Sequence, residues 1–456
     1  MTNKRLFGLY WPILVEQTLT VLVGMVSSVL VAGIGEYAVS GVNLVDSINY
    51  MVINVLNAFS AGVTAVVARA FGRGDGASAS RTAGQSQVLI TGLSTLVGLI
   101  TLVFGKQIFY GLYGGAAADV LSSGRTYFLF SAMSYPFVGL FASSAGIMRG
   151  SGNSRTPMLA SALSNVVNIG VAAPLIFFAN LGVVGAGLGM LAARIVSAVF
   201  LYVMLERGQN RIVMPKFSLK IQWENIKPVV DIGLPSGIDS MIFNGSKVVV
   251  ATMLSGMGTA AIMANTIAVT VTNLMNLPGM AFSTAVVTVV GQSYGARQYQ
   301  TVRKQMLKVM GLTSVSVTLC SVLIWLFIDG LIGLYNPSLE AAQLAKTISF
   351  GFVVLSPFTW APGFMLPQAL RAVGDAKYCL VFAVLSLFVL RVFGSWFLGV
   401  YLDWGVVGIW ASMYADWIGR AAAFLPRALS GKWFKGPKAD FIDHPVGGQE
   451  GQPGPT

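Results

Sequence analysis

Four carboxylates stand inside stretches that are otherwise apolar, and their neighbours suggest the binding of a proton or a cation. Glu16 follows Pro12 by four residues, and Asp239 follows Pro235 by four. Proline lacks the backbone N–H, so a carbonyl one turn earlier loses its usual donor. A carboxylate taken out of water there binds a proton more readily. Glu16 and Asp239 are therefore candidate coupling sites; the plainer alternative is that both lie near a membrane surface and pair with Lys or Arg. Asp46 shares a stripe with Asn43, Tyr50, Asn54 and Asn57. Spacings of three and four put these residues on one helix face. Thr266, Thr270, Asn273 and Asn276 form a partial counterpart. Polar stripes on apolar helices face a protein interior or a wet cavity. The two stripes are expected to line a substrate cleft, with Asp46 a coupling or substrate carboxylate; hydrogen bonding between helices is the alternative. Arg391 and Asp416 are expected to form a buried ion pair, or a gate opened by protonation of Asp416. Lys247 and Arg194 are further buried-charge candidates.

Catalysis has little support. The single histidine, His444, lies in a terminal stretch rich in Gly and Pro, and no metal cluster or Ser/His arrangement is evident. Cys320 and Cys379 sit in apolar stretches and indicate neither a disulfide framework nor a zinc site. There is no phosphate-binding loop of the Walker type, and the run Gly185–Gly189 opens an apolar helix with no strand before it, so it is expected to serve packing. The expectation is a chain that is not an enzyme, with no metal or organic cofactor and with H+ or Na+ as coupling ion.

The elements that carry these residues are long and apolar. Of 456 residues, 55% are hydrophobic and 10% charged, against about 25% charged in soluble domains. Stretches of about twenty apolar residues recur, each able to cross a bilayer as a helix. The expected fold is all-α, with about twelve transmembrane helices at 8–34, 40–70, 84–112, 124–149, 155–179, 183–206, 229–256, 261–292, 305–334, 343–371, 376–400 and 406–430. Lys and Arg crowd alternate loops: Lys4 and Arg5; Arg69, Arg73 and Arg81; Arg149 and Arg155; Arg207, Arg211, Lys216, Lys220 and Lys227; Arg297, Arg303, Lys304 and Lys308; Arg371 and Lys377; Arg427, Lys432, Lys435 and Lys438, with Lys106, Arg125 and Lys346 the few near the opposite side. This asymmetry predicts an inner-membrane protein with both termini cytoplasmic. The net charge of +12 then predicts affinity for anionic lipid, not for nucleic acid.

The chain also repeats itself at an offset of about 223 residues. Pro12, Glu16, Gly33, Gly35 and Gly72 find counterparts in Pro235, Asp239, Gly256, Gly258 and Gly295. Arg149 and Gly152 match Arg371 and Gly374 after a slip of one residue, and 182–185 matches 405–408. Six helices per half give two halves of the same orientation, related by an axis along the membrane normal, a common plan for transporters. Four parts are expected: a first lobe at 1–205, a linker at 206–228, a second lobe at 229–430 and a disordered cytoplasmic tail at 431–456.

These residues resemble the multidrug and toxic compound extrusion family of cation-coupled exporters. The resemblance spans about residues 8–430 and rests on Pro12, Gly24–Met25–Val26 and Gly33–Ile34–Gly35, the glycines Gly72 and Gly295, Arg149 to Gly152, Arg371, Gly374–Asp375, Asn168 and Gly182–Gly185. It implies two six-helix lobes forming a V, with a cavity in each. It further implies a monomeric antiporter exporting small organic molecules, often cationic and amphipathic, against H+ or Na+. A flippase of a lipid-linked precursor or an exporter of one metabolite are alternatives within the wider superfamily. Asn168 matches the family's asparagine at the cation site, but Ser27 and Ala172 stand where many members carry aspartates, and Asn244 stands near a third acidic position. The usual carboxylates of the ion site are thus replaced.

Overall fold

The computed structural model describes residues 3–208 and 222–434, apart from the side chains of residues 3–5. Arg211, Lys216, Lys220, Lys435, Lys438, His444 and most of the expected linker and tail lie outside the described residues. Within them the chain is helical throughout: α1 Asn3–Ala32, α2 Glu36–Gly72, α3 Gly76–Tyr113, α4 Ala118–Ser151, α5 Arg155–Phe177, α6 Gly182–Glu206, α7 Trp223–Ser255, α8 Thr259–Gly295, α9 Tyr299–Leu326, a short α10 Ile328–Gly333, α11 Leu339–Ala372, α12 Ala376–Tyr401 and α13 Gly405–Leu429. Ten of these helices are long and apolar enough to cross a membrane. Two others are of similar length but more charged. One, α7, holds Glu224, Lys227, Asp231, Asp239 and Lys247; the other, α13, holds Asp416, Arg420 and Arg427. The fold is an all-α membrane architecture of about twelve spans in two pseudo-symmetric lobes.

Several boundaries differ from the sequence expectation. The span expected at 305–334 breaks at Phe327, leaving α9 and the separate α10. The second half's first helix starts at Trp223 rather than residue 229 and runs through Pro228 in its second turn, where the missing N–H leaves the Glu224 carbonyl without its usual donor. Two late helices depart from α geometry. Residues Ala361–Met365 of α11, and Leu387–Phe393 and Ser395–Tyr401 of α12, are π-helical. Such wide turns concentrate at functional positions.

The repeated Arg-x-x-Gly marker has a local cause. Gly152 (φ 95°) and Gly374 (φ 92°) take left-handed backbone just past α4 and α11. Gly152 N–H donates to the Arg149 carbonyl and Asn153 N–H to that of Met148; Gly374 and Asp375 repeat the pattern on Arg371 and Leu370. Glycine is favoured there because a Cβ would be strained.

Within the first lobe, small residues let helices approach closely, as lipid-embedded packing favours. Gly146 and Gly150 of α4 press on the backbone of Ser60 and Thr64 in α2. Ser60 and Thr64 donate to the carbonyls of Ala142 and Gly146 at 2.6 and 3.1 Å. Gly185 and Gly189 pack on Leu175 and Ala172, which is the packing role expected of that glycine run.

Among the described residues the close packing between the lobes lies towards one end. The C-terminal half of α2 lies on the N-terminal half of α7, with Phe59 against Gly233 and Gly62 against the Val229 carbonyl. Further on, α2 crosses α8, where Gly72 meets the Gln292 carbonyl and Gly295 meets that of Arg69. Tyr10 stacks on Phe282 with centroids 3.9 Å apart, and Arg69 Nε donates to the Ala372 carbonyl at 2.7 Å. All these contacts sit towards the ends that carry the basic loops. Towards the other end the lobes part, and Met25, Val29, Tyr50 and Met51 are exposed.

Candidate functional site

Asp46, on α2, faces a cavity of about 270 Å³ inside the first lobe. The wall is polar on four sides: Thr20, Ser27 and Ser28 from α1, Asn43 from α2, Asn168 from α5 and Arg194 from α6. Tyr127 of α4 and Met190 of α6 close it. Asp46 Oδ1 accepts from Asn49 Nδ2 at 3.2 Å. Asn49 is itself fixed by Ser131 Oγ and by Tyr135, whose hydroxyl donates to Asn49 Oδ1 at 3.0 Å. Arg194 Nη1 donates to Ser134 Oγ at 2.5 Å. Asn168 Nδ2 donates to Ser27 Oγ at 3.0 Å, so two positions of the resembled ion site touch although neither is acidic. The cavity wall carries one carboxylate and one guanidinium, and α2 supplies the negative charge that Ser27 and Ala172 do not.

Glu16 lies one turn before Thr20 on α1 and does not line this cavity. Its Oε1 accepts from Arg149 Nη2 at 2.5 Å, Ser161 Oγ lies at 3.4 Å, and Oε2 is buried with no partner. The second lobe repeats the arrangement: Arg371 Nη2 donates to Asp239 Oδ2 at 2.5 Å. Each arginine also meets the opposite lobe through its backbone. The Arg149 carbonyl accepts from Thr288 Oγ1 at 2.9 Å, and the Arg371 carbonyl from Arg69 Nη2 at 3.4 Å. Two ion pairs in matching positions thus flank the seam where the lobes meet.

Asp416 is fully buried in the second lobe. Arg391 Nη1 approaches its Oδ2 at 3.7 Å, as the expected pair requires. Arg420 Nε is closer, at 3.0 Å from Oδ1, and Ser386 Oγ donates to the same oxygen at 2.6 Å. Sequence inspection missed Arg420, although its position four residues after Asp416 on one helix was the signal. It also missed Asn49, three residues after Asp46 and so on the same stripe.

The expected cleft residues fall in two groups. Asn43 lines the first-lobe cavity. Tyr50, Asn57, Thr266 and Asn273 are exposed where the lobes part, with Asn54 and Asn276 half-buried beside them. Across this gap Lys247 Nζ of α7 lies 5.9 Å from the Tyr50 ring centroid. Asn244 of α7 donates to the Ser240 carbonyl.

Two six-helix lobes joined at one end and open at the other, with buried charge in each, define a polytopic transporter fold. The MatE family model matches residues 12–173 and again 235–397, and the chain belongs to this family of membrane transporters. It is 26% identical to the probable multidrug resistance protein NorM of Thermotoga maritima, over 95% of this chain and 93% of that one. It is 25% identical to the multidrug export protein MepA of Staphylococcus saprophyticus, over 91% of each chain. Among solved structures it resembles the outward-facing conformation of a multidrug resistance MATE family transporter (TM-score 0.84, 21% identity, 94% of this chain and 95% of that one). It also resembles MATE in the bent conformation (TM-score 0.85, 20% identity, 94% of each chain).

Proposed function

We propose that this transporter is a secondary antiporter of the inner membrane that exports small organic compounds in exchange for H+ or Na+. The observation that carries this reading is Asp46: a carboxylate in a polar cavity whose usual ion-site positions hold Ser27 and Ala172. Organic cations and the coupling ion compete for it, with Asn168 and Asn43 as neutral ligands. The cleft beyond, lined by Tyr50, Asn54, Asn57, Thr266, Asn273 and Asn276, carries substrate to and from the cavity. The basic helix ends and both termini face the cytoplasm, so the cleft opens outward. The unit of function is a monomer in contact with anionic lipid, and nucleic acid has no part in it.

Glu16 and Asp239 supply the link from ion binding to lobe movement. When Glu16 takes a proton, Arg149 loses its counter-charge, and the end of α4 that rests on Thr288 is loosened. Asp239 and Arg371 do the same from the other side. Protonation of Asp416 frees Arg391 in the second lobe and serves as a further gate.

Purified protein in liposomes tests this, with a pH gradient and then a sodium gradient driving efflux of a fluorescent organic cation. Asp46→Asn is expected to lower gradient-driven efflux by ~5- to 150-fold, the range of a coupling free energy between two sites. Unchanged coupled efflux in Asp46→Asn would refute the assignment. Glu16→Gln is expected to leave substrate binding near wild type and to abolish the response to the proton gradient. Coupled efflux equal to wild type would remove Glu16 from the mechanism. Folding of both variants is checked by size-exclusion chromatography.

A further inference from the structure

The second lobe gathers more positive charge around Phe243 than its one nearby carboxylate neutralises. Phe243 of α7 has Lys247 Nζ 5.0 Å from its ring centroid, the Arg391 guanidinium at 4.7 Å and that of Arg420 at 5.7 Å. Asp416 is the carboxylate that pairs with two of these cations. Among the described residues no carboxylate lies within 4.0 Å of Lys247. Three cations therefore face one anion. Cation–π contact offsets part of the cost, but a ring does not cancel charge. Charges at membrane depth that persist without partners mark ligand or ion paths.

The donors are also unused. Arg391 is 3% exposed, yet its Nε and Nη1 have no hydrogen-bond acceptor; the 3.7 Å approach to Asp416 is too long to be a hydrogen bond. Ser395, four residues further along α12, is buried and its hydroxyl is likewise unpartnered. Buried N–H groups without acceptors are rare. Lys247 is exposed and faces Tyr50 where the lobes part, so the cluster opens to the cleft through an ammonium. An ammonium and a guanidinium beside two aromatic rings match a group with several acceptor oxygens on an apolar body.

We propose that this cluster binds the carboxylate, sulfonate or phosphate group of a transported organic compound. The inference deepens the transport reading above and rests on it. The substrates then include organic acids and zwitterions beside the organic cations, the zwitterions placing their cationic end towards Asp46. A lipid headgroup offers the same oxygens, so the test must separate the two sources.

The full chain is placed in nanodiscs of phosphatidylcholine. Equilibrium dialysis then compares a radiolabelled naphthalenesulfonate with the uncharged naphthalenesulfonamide of the same ring. Wild type is expected to bind the sulfonate ~10-fold or more tightly than the amide. Lys247→Gln is expected to lose that preference without changing amide affinity, and Lys247→Arg to keep it. Equal affinities in wild type, or a preference untouched in Lys247→Gln, would overturn the proposal. Repeating the assay with phosphatidylglycerol in the nanodisc should leave sulfonate affinity unchanged; displacement would assign the cluster to lipid headgroups and overturn the substrate site. No gradient is applied, so a failure of ion coupling leaves this readout intact. Conversely, loss of the anion preference leaves cation antiport at Asp46 standing.

Discussion

Asp416→Ala is expected to destabilise the protein by ~3–5 kcal/mol, the cost of removing one partner from a buried charge group. Asp416 is fully buried, and Arg391 and Arg420 are 3% and 4% exposed. With the carboxylate gone, two guanidiniums remain in the interior without the side chain that offsets their charge. Ser386 loses its acceptor at the same time. Asp416→Asn should keep the hydrogen bond from Ser386 and still lose the charge, so most of the destabilisation should persist. Thermal unfolding of detergent-purified protein measures the effect. A midpoint for Asp416→Ala within ~1 °C of wild type would mean that the arginines are neutralised by something else. Replacing all three by apolar residues of similar size, Asp416→Leu with Arg391→Met and Arg420→Met, should recover stability, since buried ion groups often exchange for apolar ones at little cost. That triple variant should bind the sulfonate no better than the amide. Recovered stability without anion binding would separate the fold's need of the cluster from the ligand's.

Gly72→Val and Gly295→Val are each expected to drive the lobes apart at the seam. A Cβ at Gly72 would run into the Gln292 carbonyl, and one at Gly295 into that of Arg69. Both obstacles are backbone and cannot swing aside. Overpacking a tight contact costs ~1–3 kcal/mol, which shifts a two-state equilibrium by ~5- to 150-fold. The seam is closed in the present structure, so either valine should favour the alternative state, with the other end of the cleft shut. Spin labels on Glu36→Cys and Thr259→Cys, both exposed at the open mouth, report this after Cys320 and Cys379 are replaced by alanine. The distance distribution should shift to shorter values and efflux should fall with it. An unchanged distribution would mean that the seam glycines do not set the balance between states.

The lobes, their repeat and most charged residues of interest were legible in the sequence, because apolar length and loop charge report directly on membrane insertion. What tertiary approach creates was not. Glu16 with Asp239, and Arg149 with Arg371, stood out as two separate sets of repeated residues. Only the folded chain shows that they are one arrangement, since the side chains of Glu16 on α1 and Arg149 on α4 meet across a distance in sequence that no spacing encodes. The polar stripe around Asp46 was readable from helical period. Its division into a cavity wall holding Asn43 and an open cleft holding Tyr50 depends on where α2 leaves its own lobe to touch α7. Lys247 was visible as a charge, but the aromatic ring it shares with Arg391 and Arg420 joins three distant helices.

The π-helical turns of α12 give the slip in the repeat a physical meaning. Counterparts shift by one residue at Arg371 and Gly374, and by Gly405 the earlier register has returned. The second half therefore has one residue more than the first between these markers, and the wide turns of α12 lie in that interval. A helix that absorbs an extra residue by swelling a turn, rather than by growing a loop, rotates its remaining residues about its axis. Asn168 in the α-helical α5 and Arg391 in a π-helical stretch of α12 are counterparts that no longer offer their lobes the same face or the same charge. Two copies of one plan thus differ in the face and the charge that each turns inward at this position.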